Sequence, residues 1–232
     1  MNADSFNTGA SLRSRFLELE NERKRSWAPE ALAVNARQRA TLVAEHGLRS
    51  HIIVGDILPP AVLTTVDGHT IALDELSARG PAVLVFFRFA GCPACNITLP
   101  YYRDTLWPAL QAAHIPLLAI SPQPPALLKE IVSRHELPFP VATDSNLGLS
   151  RALGITYVFD APSRNAAEAK GGTSQGLNGT DAWELPKPAV IVIGPGRVVQ
   201  FVDISPDWMD RTETPAILSA LELPAKESLH AI

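Results

Sequence analysis

Ala82-Val83-Leu84-Val85-Phe86-Phe87-Arg88-Phe89-Ala90-Gly91-Cys92-Pro93-Ala94-Cys95 opens as an unbroken apolar run and closes as a Cys-Pro-Ala-Cys turn. The run follows Pro81 and is rich in β-branched and aromatic residues, the composition of a strand buried on both faces. In open α/β sheets functional groups gather at the carboxyl ends of strands, and Cys92 stands at such an end. Pro93 suits the first position of a helix, which sets the Cys92 thiol beside unpaired N–H groups and the positive end of a helix dipole. Such surroundings favour thiolate and commonly lower a cysteine from about 8.5 to between ~3.5 and 7.5. Cys92 is therefore the expected nucleophile. Cys95, one turn further on, is the expected resolving thiol. Arg88, four residues before Cys92, is either a charge beside the thiolate or an ordinary solvated arginine.

Outward from this stretch the pattern predicts a helix from Pro93 to about Ala113, a buried strand over Ile115 to Ile120 and a helix from about Ala126 to His135. Strand, helix, strand, helix implies parallel pairing by right-handed crossovers. Upstream, Val62 to Val66 and Thr70 to Leu73 flank Asp67-Gly68 as a hairpin. Downstream, Pro138 to Ala142 reads as a short strand and Leu147 to Leu153 as a short helix ending at Gly154. Residues 160–180, rich in Gly, Ala, Ser and Asn, read as a long, mobile surface loop. Ala189 to Ile193 and Val198 to Val202 form a second hairpin around Gly194-Pro195-Gly196, and a last helix spans about Thr214 to Leu221. At the other end, Leu12, Phe16 and Leu19, then Ala31, Val34 and Leu42, recur at helical spacing on either side of Trp27 and Pro29. Residues 1–50 thus form an N-terminal helical extension, packed on its own chain or on a second copy in a homodimer, and residues 51–232 the redox domain.

A chain of 232 residues at 46% hydrophobic composition supports one substantial core. The formal charge of −4, from intermixed acids and bases, leaves no basic block for nucleic acid. No apolar stretch approaches the roughly 18 residues of a membrane span, and Met1 to Ser14 lacks a signal core, so no membrane partner and a cytoplasmic location are expected. With only two cysteines, a structural disulfide framework is excluded, and the pair points to redox or metal work. Zinc needs a second Cys or His pair at similar spacing. His46, His51, His69, His114, His135 and His230 are scattered, so no metal and no other cofactor is expected. The remaining alternative, two cysteines acting as small buried apolar residues, fits poorly with a Cys-Pro-x-Cys turn between strand and helix.

Val85 to Pro100 resembles the active-site strand, loop and helix of thioredoxin-fold proteins, and the wider chain is similar to the peroxiredoxin-like branch of the AhpC/TSA superfamily. Val54-Gly55-Asp56 with Pro59, Asp67-Gly68 and Leu73-Asp74-Glu75-Leu76 resembles that family's first hairpin. Asn178-Gly179, Asp181, Trp183 and Leu185-Pro186 resemble its later loop, and Asp203, Pro206-Asp207-Trp208 and Arg211 its C-terminal signature. The resemblance implies a thioredoxin-like α/β fold, a central mixed sheet flanked by helices. It also implies a cis peptide before Pro188, presenting the Lys187 backbone to substrate, the alternative being an ordinary trans proline at a strand's first residue. Two departures stand out. Peroxiredoxins typically carry Thr or Ser three residues before the reactive cysteine, where this chain has Phe89, and an arginine from a distant strand, where it has Lys187-Pro188. Arg88 or Lys187 are the candidate substitutes. The small Ala90, Gly91 and Ala94 suggest an open approach to Cys92.

Three functions fit these residues: reduction of peroxides with an external dithiol reductant such as a thioredoxin-type protein, exchange with disulfide substrates, or a non-catalytic redox switch.

Overall fold

The computed structural model describes residues 10–224. Helices α1 (Leu12–Ser26) and α2 (Pro29–His46) come first. Ser11 caps α1 through the Ser14 N–H at 3.2 Å, and Trp27, in extended backbone, ends it before Pro29 starts the next. Strands β1 (Val62–Thr65) and β2 (Thr70–Ala72) pair antiparallel around Asp67-Gly68, where Gly68 takes φ +86°. After α3 (Leu73–Leu76) come β3 (Ala82–Phe86), α4 (Pro93–Thr105), α5 (Trp107–Ala112), β4 (Leu117–Ser121), α6 (Pro125–His135) and β5 (Val141–Thr143). Then follow α7 (Gly148–Ala152), β6 (Thr156–Val158), α8 (Ala161–Glu168), α9 (Ser174–Asn178) and β7 (Glu184–Pro186). The chain closes with β8 (Ala189–Ile193), β9 (Val199–Ile204) and α10 (Thr214–Ala220).

Seven strands form one mixed sheet in the order β2-β1-β5-β4-β3-β8-β9, with β6 and β7 as a separate pair. The crossovers make β3, β4 and β5 parallel, while β8 runs antiparallel to β3. Alternation along β3 explains its unbroken apolar run. Val83, Val85 and Phe87 face a core built with Leu99, Leu128 and Ile217, whereas Ala82, Leu84 and Phe86 face Leu58, Leu73 and Leu153. Both faces are covered, so neither tolerates polar residues. Leu12, Phe16 and Leu42 of the two leading helices join the first of these cores, so the extension packs on its own chain. Gly154, at φ +69°, crosses the segment before β1 so closely that a Cβ would lie 2.4 Å from the Ser50 carbonyl oxygen.

The structure differs from the sequence expectations in three places. The long helix from Pro93 breaks at Leu106, because Pro108 has no N–H to continue the ladder. Residues 160–180 are not a loop: Asp160 caps α8 through the Ser163 N–H at 2.8 Å, and Thr173 caps α9 through Gly176 at 3.0 Å. There, local caps outweigh an unpromising composition. No peptide of the described residues is cis, so Pro188 is an ordinary trans proline leading into β8, with its carbonyl accepting from the Ser205 N–H at 2.7 Å. Among the described residues no helix is long and apolar enough to cross a membrane.

Candidate active site

Cys92 is the N-cap residue of α4, in extended backbone, and Pro93 opens the helix as expected. The turn that carries it is pinned from two sides. Asn96 donates its side-chain amide to the carbonyls of Ala90 (2.6 Å) and Cys92 (2.9 Å). Its own carbonyl accepts from Arg134 (3.0 Å) and His135 (2.8 Å). Gln123 accepts the Ala90 N–H at 2.8 Å and donates to the Gly176 carbonyl at 2.7 Å. Ser121, at the end of β4, donates to the Arg88 carbonyl at 3.0 Å.

Arg88 is buried, with Nη1 3.8 Å from the Cys92 sulfur. Its guanidinium lies over the ring of Trp208 at 4.4 Å and meets Phe89 at 5.3 Å, Tyr157 at 5.9 Å and Phe159 at 5.9 Å. The solvated reading of Arg88 is therefore set aside: aromatic faces attract the cation where water is excluded. A second guanidinium, Arg211 from the segment after β9, also acts on both sulfurs.

Burial pushes the Cys92 thiol up, but the Cys95 S–H hydrogen bond, the charges of Arg88 and Arg211 and the Cys95 backbone N–H together hold it well below the ordinary cysteine value. Cys95 moves the other way: burial, its hydrogen bond to Cys92 and the neighbouring negative charge raise it well above that value. Tyr157 is pushed up to about 12, chiefly by burial, and so stays a neutral phenol beside Arg88.

Cys92 is only 1% exposed, which overturns the expected open approach. Small neighbours in the turn do not decide access, because Arg88 and the rings of Tyr157 and Trp208 close over the site from elsewhere in the chain. Pro188 shares a small cavity with Cys95, Thr98, Ser205 and Arg211. Lys187 is not brought to the sulfurs. Its ammonium meets His46 Nδ1 at 3.4 Å, and burial together with Arg49 lowers its pKa. Sequence reasoning missed Tyr157 and the site roles of Trp208 and Arg211. The last two lie in the Asp203 to Arg211 signature, which marked a family but not a place, and Tyr157 carried no signal at all.

The AhpC/TSA family model matches residues 54–202, from the turn before β1 into β9 and across both cysteines. The thiol-disulfide oxidoreductase ResA of Halalkalibacterium halodurans is 31% identical over 97 residues, 40% of this chain and 52% of that protein, so the chain spans about half the length of this relative. Peroxiredoxin bcp1 of Schizosaccharomyces pombe is 27% identical over 126 residues, 54% of this chain and 63% of that protein. Among solved structures, peroxidoxin BcpB from Mycobacterium tuberculosis superposes with a TM-score of 0.56 at 21% identity, covering 77% of this chain and 100% of that one. Reduced Prx3 from Vibrio vulnificus, in complex with H2O2, gives 0.58 at 20% identity, covering 73% and 99%. These neighbours share the thioredoxin-like fold of this chain, whose own α1 and α2 precede the first hairpin. With a family match over well more than half its length, taking in the strand, turn and helix of the cysteine pair, this chain belongs to the AhpC/TSA family.

Proposed function

We propose that the chain is a peroxiredoxin-like thiol oxidoreductase that reduces a small peroxide through Cys92 and Cys95. The observation that supports this reading is a buried Cys92 sulfur 3.8 Å from Arg88 Nη1, its pKa held well below the ordinary cysteine value by Cys95, Arg88 and Arg211, beside a Cys95 thiol raised well above it. The thiolate attacks the terminal oxygen of a hydroperoxide; an S–O bond forms, the O–O bond breaks, and the departing alkoxide takes a proton from solvent to leave as alcohol. Arg88 and Arg211 are placed to stabilise that alkoxide, the task for which Phe89 has no hydroxyl to offer. The Cys95 sulfur then attacks the sulfenic acid; an S–S bond forms and hydroxide leaves with the Cys95 proton as water. An external dithiol restores both thiols. Two free cysteines working as a dithiol suit a reducing compartment such as the cytoplasm.

Closure around Cys92 favours a peroxide over a protein disulfide, which needs an open groove. A second reading, disulfide exchange, is favoured by the Cys-Pro-x-Cys arrangement at a helix start and by the ResA relatives. Stopped-flow mixing of reduced protein with hydrogen peroxide separates the two. The wild type should consume about one equivalent rapidly, Cys92→Ser should lose the reaction, and Cys95→Ser should accumulate a dimedone-reactive sulfenic acid. Peroxide consumption no faster than that of a free thiol, with rapid disulfide exchange, would replace the first reading with the second.

A further inference from the structure

Three buried arginines act on Cys92 from three parts of the chain, Arg88 with Nη1 3.8 Å from the sulfur and Arg23 and Arg211 through their charge. Arg88 follows β3, Arg23 lies in the last turn of α1, and Arg211 follows β9. They are 8%, 7% and 9% exposed. Each interacts electrostatically with Cys92. They converge on one short segment: Arg88 covers the Trp208 ring at 4.4 Å, Arg23 Nη1 lies 3.3 Å from the Met209 sulfur, and Arg211 belongs to the segment itself.

None of the three forms an ion pair with a carboxylate among the described residues. Three nearby acids are engaged by other partners. Glu20 and Asp207 bind Arg39, while Glu213 accepts the backbone N–H groups of Leu12 and Arg13 and the Tyr101 hydroxyl. Aromatic faces take the place of carboxylates: Trp208 for Arg88, Trp27 for Arg23 at 4.8 Å, Phe16 for Arg211 at 5.9 Å. Each guanidinium also has one buried nitrogen with no acceptor, namely Arg23 Nε, Arg88 Nε and Arg211 Nη2. Buried charges are as a rule paired and buried N–H groups bonded. One thiolate balances one of three positive charges and leaves these donors unfilled, so the site has both the charge and the hydrogen bonds for a second anion.

We propose that the oxidant handled by Cys92 is itself a small anion, a carboxylate-bearing hydroperoxide or disulfide whose acid group is held by Arg23 and Arg211. This rests on the thiol chemistry proposed above and names its substrate class. For the hydroperoxide, bonds and protons are exchanged as already described. For the disulfide, the Cys92 thiolate attacks one sulfur, the substrate S–S bond breaks, and a carboxylate-bearing thiolate departs. Cys95 then loses its proton to solvent and attacks the Cys92 sulfur, expelling the second thiolate. Two electrons pass from the cysteine pair to the substrate. Bidentate guanidinium–carboxylate bonds orient the reacting bond, and the same charges repel a cation.

The test is a charge series on the reduced wild type: 3,3′-dithiodipropionate, bis(2-hydroxyethyl) disulfide and cystamine, each rate normalised to that with 2-mercaptoethanol. The dianion should react at least about tenfold faster than the neutral disulfide, and the dication slowest. Arg23→Gln and Arg211→Gln should each collapse most of that ratio. A parallel pair, one neutral and one carboxylated alkyl hydroperoxide, shows which reacting bond accompanies the acid. Charge-independent rates would overturn the proposal, and would leave the thiol chemistry standing if they exceed those of a free thiol. Should neither hydrogen peroxide nor the neutral disulfide react faster than with a free thiol, the thiol chemistry is what fails. The anion site is then judged by titrating Cys92→Ser/Cys95→Ser protein with 3,3′-dithiodipropionate and reading tryptophan fluorescence. Saturation that weakens in the Arg23→Gln background supports the site; no saturation overturns it.

Discussion

Cys92 caps the first turn of α4 and Cys95 lies within it, and both lose hydration alike, yet their pKa values move in opposite directions. Position in the electrostatic field makes the difference. Cys92 receives the Cys95 S–H, the charges of Arg88, Arg211 and Arg23 and a backbone N–H, whereas Cys95 faces the negative charge those groups favour on Cys92. In the proposed reaction, oxidation of Cys92 to a neutral sulfenic acid would remove the negative charge that raises the Cys95 pKa, so Cys95 would be released for attack only after the first step. The consequence for pH has a definite sign. Because Cys92 sits below its ordinary value, its reaction rate should level off at a lower pH than that of a free cysteine and fall as pH drops through the depressed pKa. Replacing Arg88 by Gln should move the thiolate absorbance titration at 240 nm upward and slow the peroxide reaction at pH 7 by about tenfold. An unmoved titration would separate Arg88 from the thiolate.

At the scale of elements, the turn between β3 and α4 is held by side chains outside it. Asn96 bridges the Ala90 and Cys92 carbonyls on one side to Arg134 and His135 of α6 on the other. Burial and the charges of Arg134 and Arg103 lower the His135 pKa, so at neutral pH an uncharged ring donates Nε2–H to the Asn96 carbonyl. Asn96→Leu keeps the bulk but removes the side-chain donor to the Ala90 carbonyl and one of the two donors to the Cys92 carbonyl, which keeps the residue-96 backbone N–H. Urea unfolding should show a loss of about 1–3 kcal/mol, and the thiolate titration should broaden or rise as the turn loosens. The start of α8 offers a comparison away from the sulfurs. Asp160→Ala removes its cap and should cost about 1 kcal/mol without altering peroxide kinetics.

Over the whole molecule, the two leading helices clasp the segment that covers the cysteines. Arg39 of α2 forms a two-pronged pair with Asp207, at 2.6 and 2.8 Å, and also binds Glu20 of α1. Arg23 reaches Met209, and Glu213 caps the first turn of α1. Trp208 is thereby held over Arg88. Opening of this clasp is the expected route to a sulfur that is otherwise closed off. Arg39→Ala should raise the rate of native-state iodoacetamide labelling of Cys92 several-fold, while lowering stability by only about 1 kcal/mol, since the ion pairs are partly solvated. Unchanged labelling, read by mass spectrometry, would mean that the clasp does not control access.

The strand, the cysteine turn and the helix after it were determined by the sequence alone, because an apolar run, a helix-start proline and a one-turn spacing act between near neighbours. The same holds for both hairpins and the two leading helices. Nothing local revealed that α8 and α9 would form in a stretch of small residues, beyond caps that composition concealed. Nor did the chain order show which cations meet the sulfur. Arg23 and Met209, now in contact beside the site, are 186 positions apart, and Lys187, the expected substitute, is turned toward His46. Burial of Cys92, its neighbourhood of arginines and the rings over them are properties of packed surfaces, and only the tertiary structure decides which distant surfaces pack.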